Sequence, residues 1–117
     1  MFGKNIKSIT VQELKILNKK RPLIIDVREE SEFEAMYIPN STNIPLKTLL
    51  NSPEEFITGT AYLVCATGSR SKKAVKKLSK KFDVVTVLGG AKSYGQKFAL
   101  VRNMKIIEEK KKTKKKK

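Results

Sequence analysis

The sequence predicts an α/β domain built on a mainly parallel sheet. Strand-like apolar runs alternate with helix-like segments along the chain, and no internal repeat interrupts that alternation. A third observation is a buried-type strand, a small polar loop and an amphipathic helix following one another between residues 61 and 81. The first element is a short strand near Ile6 to Ile9. Thr10-Val11-Gln12-Glu13 then has the spacing of a capping box and opens a helix with Val11, Leu14, Ile16 and Leu17 on its apolar face, closed before Pro22. Leu23-Ile24-Ile25-Asp26-Val27 is a strand buried on both faces. Ser31-Glu32-Phe33-Glu34 has the spacing of a second capping box, and the short helix it opens must end before Ile38-Pro39. Thr42 to Ile44 reads as a short strand, and Pro45 to Leu50 and Glu54 to Phe56 as brief helical turns. Ala61 to Val64 is the next strand, with Cys65 at its end. After the polar segment 66–71, a helix from Lys72 to Lys81 turns Ala74, Val75, Leu78 and Phe82 inward and Lys72, Lys73, Lys76, Lys77, Lys80 and Lys81 outward. Val84 to Leu88 is the last clear strand. Gly89-Gly90 ends it with access to positive φ, and Ala91 to Phe98 forms a weaker helix interrupted by Gly95.

A chain of 117 residues, 39% of them hydrophobic, supports one globular domain, here 1–104, with 105–117 as an appended tail. Its apolar runs are far too short to span a bilayer, and the first residues lack a secretory h-region, so a cytoplasmic protein without membrane insertion is expected. Cys65 is the only cysteine and there is no histidine. This excludes an internal disulfide, Ser-His-Asp and Cys-His nucleophilic sites and the usual zinc ligand sets; no metal or cofactor is expected. The formal charge is +15, from 26 Lys and Arg against 11 Asp and Glu, and Lys110, Lys111, Lys112, Lys114, Lys115, Lys116 and Lys117 crowd the C-terminal end. Such a like-charge block reads as a disordered tail, able at most to make weak, nonspecific contact with nucleic acid or an acidic protein.

Cys65 sits between a buried strand and the next helix, at the carboxyl end of the sheet where α/β proteins bind ligands. The amides of Ala66, Thr67, Gly68, Ser69, Arg70 and Ser71 can curl round the sulfur, and the following helix N-terminus adds partial positive charge. With Arg70 and the lysines behind it, this field should lower the thiol pKa and could hold a persulfide anion. The bland alternative is a cysteine that merely plugs the strand end.

Cys65-Ala66-Thr67-Gly68-Ser69-Arg70-Ser71 resembles the C-x-x-G-x-R-S loop of the rhodanese homology family. Asp26-Val27-Arg28-Glu29, Glu32-Phe33, Ile38-Pro39, Asn43-Ile44-Pro45 and Gly89-Gly90 with Tyr94 match the family's further motifs in order. The resemblance, over about residues 7 to 98, implies a sheet of about five mainly parallel strands flanked by helices, and a two-step sulfurtransferase reaction. Cys65 would be the sulfur carrier, Ala66 to Arg70 its amide cradle, and Asp26 with Arg28 supports beneath that loop. Departures are Met36-Tyr37, Asn40-Ser41, Tyr94 in place of Trp, and neutral Ala66 directly after the cysteine. The donor is expected to be a small sulfur compound such as thiosulfate or a protein persulfide such as that of a cysteine desulfurase, with the acceptor left open. One alternative is a non-catalytic docking module using the lysine-rich helix. The other, a cysteine phosphatase or arsenate reductase, is disfavoured because only four residues separate Cys65 from Arg70 and no general acid lies nearby in sequence.

Overall fold

A computed structural model of the protein describes residues 6–103. Its elements are β1 (Ser8–Ile9), α1 (Val11–Leu17), β2 (Leu23–Asp26), α2 (Glu30–Ala35), β3 (Met36–Tyr37), β4 (Ser41–Asn43), α3 (Leu46–Asn51), β5 (Ala61–Val64), α4 (Ser69–Leu78), β6 (Val84–Val87), α5 (Gly90–Lys97) and β7 (Val101–Arg102), with short 3-10 turns at Asn18–Lys20 and Pro53–Glu55. Five strands form one sheet in the order β1-β6-β5-β2-β4, and every neighbouring pair is parallel. The expected α/β fold with about five parallel strands is therefore the observed one. The lysine-rich tail at 105–117, and with it residue 104, lies outside the described residues. Among the described residues no helix is long and apolar enough to cross a membrane.

Successive side chains of a strand point to opposite faces, and this alternation divides the core in two. Ile25, Leu63, Val84 and Cys65 pack with Leu49 of α3 and Ala74, Val75 and Leu78 of α4. Ile24, Val64 and Val87 pack on the other side with Val11 and Leu14 of α1 and Ala91 and Tyr94 of α5. Both faces of the sheet are thus covered by helices, which is why β2, β5 and β6 are mostly apolar rather than alternating, with only Asp26, at the end of β2, and Thr86, within β6, as polar residues.

Local chemistry explains where the boundaries fall. Thr10 caps α1 as its sequence predicts: its hydroxyl accepts from the Glu13 N–H at 3.1 Å, and the Glu13 carboxylate accepts from the Thr10 N–H at 2.8 Å. The box expected at Ser31 lies two residues earlier, with Glu29 as N-cap and its N–H donating to the Glu32 carboxylate at 3.0 Å. Helix α4 starts at Ser69 rather than Lys72, because Gly68, at φ +103°, turns the chain early enough for Ser69, Arg70 and Ser71 to form its first turn. A second, two-stranded antiparallel sheet, β3 with β7, was not expected. It ties the end of α2 to Val101 and Arg102, and the Asn103 N–H donates to the Ala35 carbonyl at 2.9 Å. Gly95 also does more than interrupt α5: a Cβ there would stand 2.8 Å from the Leu100 side chain, so its bareness admits that leucine.

The order of the strands positions the site. The connection leaving β2 leads outward to β4, and the one leaving β5 leads the opposite way to β6, although β2 and β5 are neighbours. Their carboxyl ends flank the switch point of the sheet, where a crevice opens between diverging connections. Asp26 closes β2 and Cys65 follows β5 at that point.

Candidate active site

Cys65 is buried, whereas Thr67 and Ser69 of the loop beyond it are exposed. Its Sγ accepts the Gly68 N–H at 3.0 Å and the Ser71 N–H at 3.4 Å, and lies 3.6 Å from Ser71 Oγ. Ser71 is the third residue of α4, and its N–H is one of the donors that a helix leaves without an internal partner. Gly68, the N-cap, has no side chain to satisfy such a donor. The cysteine sulfur therefore takes the place of the capping oxygen, held by peptide donors at the positive end of a helix.

The loop is fixed from behind. Its Cys65 and Ala66 carbonyls accept the Ala91 and Lys92 N–H groups of α5 at 2.8 and 3.0 Å, and the Gly68 carbonyl accepts the Lys72 N–H at 3.0 Å. The Ser71 hydroxyl donates to the Gly68 carbonyl at 3.2 Å and is hydrogen-bonded to the Thr86 hydroxyl at 2.7 Å. Gly90 lets the first turn of α5 approach this closely. A Cβ there would stand 2.3 Å from the Cys65 carbonyl oxygen and 2.7 Å from that of Ala66.

Burial alone pushes the Cys65 thiol pKa up, but the Ser71 N–H, the Ser71 hydroxyl and the Gly68 and Arg70 amides together outweigh it, leaving the thiol below its ordinary value. Arg70 acts on the sulfur through its backbone amide, and its guanidinium, though paired with Glu32, also interacts electrostatically with Cys65. Rates of iodoacetamide alkylation against pH should give an apparent pKa below the free-thiol value of about 8.5. A value at or above it would mean that the loop does not activate the sulfur.

Asp26 stands in register with Val64, the residue before Cys65, and forms an ion pair with Arg28. The buried Asp26 carboxylate accepts the Arg28 N–H at 2.9 Å and its Nε at 3.0 Å, and the Arg28 guanidinium donates onward to the Met36 carbonyl at 2.6 Å. No hydrogen bond joins either side chain to residues 66–71 among the described residues. The loop's arginine is bonded from α2 instead, where Glu32 accepts from both terminal nitrogens of Arg70, at 3.2 and 3.3 Å. Glu32, Thr86 and Gly90 were not singled out from the sequence as site residues. Each left a trace: Glu32 and Gly90 stand in the matched motifs Glu32-Phe33 and Gly89-Gly90, and Thr86 is the one polar residue within the strand Val84–Val87.

Charge is segregated around the loop. Helix α2 and its N-cap present Glu29, Glu30 and Glu34 to solvent, and the six lysines of α4 and the turn after it are all exposed. Among the described residues none of these lysines joins an ion pair. The Glu32 and Arg70 pair is where the acidic and basic segments meet.

The family model described as Rhodanese-like domain matches residues 10–97. The protein YqhL of Bacillus subtilis is 36% identical over 95 residues, a match covering 79% of this chain and 75% of YqhL. The adenylyltransferase and sulfurtransferase uba4 of Aspergillus clavatus is 31% identical over 97 residues, which take up 66% of this chain and 20% of that longer protein. Among solved structures, a rhodanese-like domain protein from Staphylococcus aureus superposes with a TM-score of 0.72 at 38% identity, covering 84% of this chain and 99% of that one.

Proposed function

Since the chain belongs to the rhodanese-like domain family, we propose that it is a sulfurtransferase in which Cys65 carries sulfur as a persulfide and passes it to a nucleophilic acceptor. The observation that carries this reading is the acceptance by Cys65 Sγ of the Gly68 and Ser71 amides. That arrangement favours an anionic sulfur and needs no histidine, a residue the chain does not contain.

In the first half-reaction the Cys65 thiolate attacks the terminal sulfur of a donor. The new S–S bond forms on Sγ, the bond from that sulfur to the rest of the donor breaks, and the donor leaves with the electron pair. The persulfide anion inherits the charge, and the loop amides that favoured the thiolate are placed to favour it too. In the second half-reaction an acceptor nucleophile attacks the outer sulfur and regenerates the thiolate. Because Cys65 is buried, a donor has to offer its sulfur at a slim terminus, as a persulfide does.

For the donor, the α4 lysines, which join no ion pair among the described residues, support a protein with an acidic surface over a free anion. Exposed charges are screened beyond about 8 to 10 Å at physiological salt, so lysines spread along a helix face give a small free anion few close, fixed partners. A protein can instead use the whole lysine surface through steering and rim contacts. A cysteine desulfurase carrying a persulfide is the kind of donor this reading names. The same lysines are what a docking module without chemistry would use, and one measurement separates the two. Intact-protein mass spectrometry after exposure to thiosulfate or to a protein persulfide should show one added sulfur on Cys65. Loading by the protein donor should be faster, and should slow with salt and on changing Lys72, Lys73, Lys76 and Lys77 to Gln. Absence of any sulfur adduct would favour the docking reading, and loading indifferent to salt and to those lysines would remove their role.

A further inference from the structure

The geometry points to Glu32 as a specificity-determining positioning residue, one that occupies the cation of the active loop and so closes it to free oxyanion donors. The inference rests on the sulfurtransferase reading and adds which donors the site turns away. Arg70 lies in the first turn of α4, its backbone amide helps to lower the Cys65 pKa, and its guanidinium interacts electrostatically with Cys65. An arginine so placed would suit a sulfonate or sulfate group, since its planar fork can meet two oxygens at once. Glu32 already fills that fork, with Oε1 and Oε2 accepting from the two terminal nitrogens.

This ion pair differs from an incidental surface contact because its acidic partner is held in place. Glu32 Oε1 also accepts the Glu29 N–H at 3.0 Å, which fixes the carboxylate at the start of α2. Segment 26–36 is in turn braced by the buried Asp26 and Arg28 pair, whose guanidinium reaches the Met36 carbonyl. The Arg70 hydrogen bond, opposed by partial burial and aided by the Glu29 N–H, holds the Glu32 pKa below the usual carboxylate range, so the pair stays charged at neutral pH.

The consequence appears in the thiosulfate reaction. Cys65 thiolate and thiosulfate dianion become the Cys65 persulfide anion and sulfite dianion: the Sγ–S bond forms, the S–S bond of thiosulfate breaks, and sulfite leaves with its electron pair. Both dianions need a cation at the mouth of the loop. With Glu32 ionised, the pair offers no net positive charge, and the end-on fork of the two terminal nitrogens can take a second oxyanion only by giving up the carboxylate. A donor whose reacting end is only a persulfide sulfur does not use this cation and meets no such obstacle.

Glu32→Gln is the informative variant, because the amide oxygen can still accept the Glu29 N–H while the negative charge is gone. In a thiosulfate and cyanide assay it should lower KM for thiosulfate and raise kcat/KM about tenfold, the scale of one charge-assisted hydrogen bond released for a new partner. Loading from a protein persulfide should not share this gain, so that the ratio of the two donor rates shifts toward thiosulfate. The gain should vanish in an Arg70→Gln background, where no fork exists to be released. An unchanged thiosulfate kcat/KM in a Glu32→Gln protein of wild-type circular dichroism, or an equal gain without Arg70, would overturn the inference. A measurement on the unsubstituted protein supplements this: the Arg70 Nη–H NMR signals should stay in place on adding sulfite, and their displacement would count against the occupied fork. Failure of the wild type to take up sulfur from either donor would instead overturn the sulfurtransferase reading beneath it.

Discussion

Cys65→Ala should abolish cyanide-dependent release of thiocyanate, with a fall of at least about a thousandfold, because no other thiol exists to accept sulfur. Folding should suffer far less. The substitution removes the acceptor of the Gly68 and Ser71 amides, and losing such a cap costs about 1 kcal/mol. Cys65→Ser separates the two roles further, since a hydroxyl oxygen can accept these N–H groups but does not carry sulfane sulfur. Its melting temperature should lie above that of the alanine variant while its activity is equally absent. Retention of near-wild-type turnover by the alanine variant would exclude Cys65 as the carrier.

The second large effect is expected away from the sulfur, at Gly90. Alanine there adopts φ +60° at a cost of about 1 kcal/mol or more, and its Cβ meets the Cys65 and Ala66 carbonyl oxygens at 2.3 and 2.7 Å. Both contacts are backbone, so α5 and the loop have to separate, weakening the Ala91 and Lys92 hydrogen bonds that fix those carbonyls. A loss of about 3 kcal/mol in all would lower the melting temperature by on the order of 15 °C for a domain of this size. Alkylation of Cys65 in the folded variant should also lose its depressed pKa as the amide donors move. Gly59 supplies the control: its φ is +68°, yet a Cβ there would have nothing within 4 Å, so Gly59→Ala should cost only the backbone strain. Equal melting temperatures for the two variants would show that the close approach at Gly90 is unimportant.

What the sequence made legible was what neighbouring residues decide. The Thr10 and Glu13 box and the apolar runs of β2, β5 and β6 lie where their chemistry places them. So does the apolar face of α4. The start of α4 was misplaced because it depends on Gly68 taking φ +103° and on a sulfur serving as cap from three residues upstream, and helix-start patterns contain no such feature. Its lysines drew attention to the outer face, whereas the first turn is made of Ser69, Arg70 and Ser71. The β3 and β7 pairing joins two-residue segments about 65 positions apart, too short to show any alternation. Glu32 and Arg70 stand 38 residues apart, on helices that follow the neighbouring strands β2 and β5, and only the pairing of those strands brings them together. Arg70 was legible as a loop residue, but its occupation by Glu32 is a property of the tertiary structure alone.

The separation of acidic α2 from basic α4 across the loop gives the molecule a field with a direction at its active site. A partner bearing charge of both signs experiences a torque in such a field as well as an attraction, and turns while still in solution. Orientation is what holds ordinary protein association to about 10⁵ to 10⁷ M⁻¹s⁻¹, far below the diffusion limit. A partner turned before contact spends fewer collisions on unproductive faces. Its acidic side would be drawn toward Lys72 and Lys73 and its basic side toward Glu29 and Glu30, so that the line between the two helices sets the compass bearing on which a sulfur donor arrives.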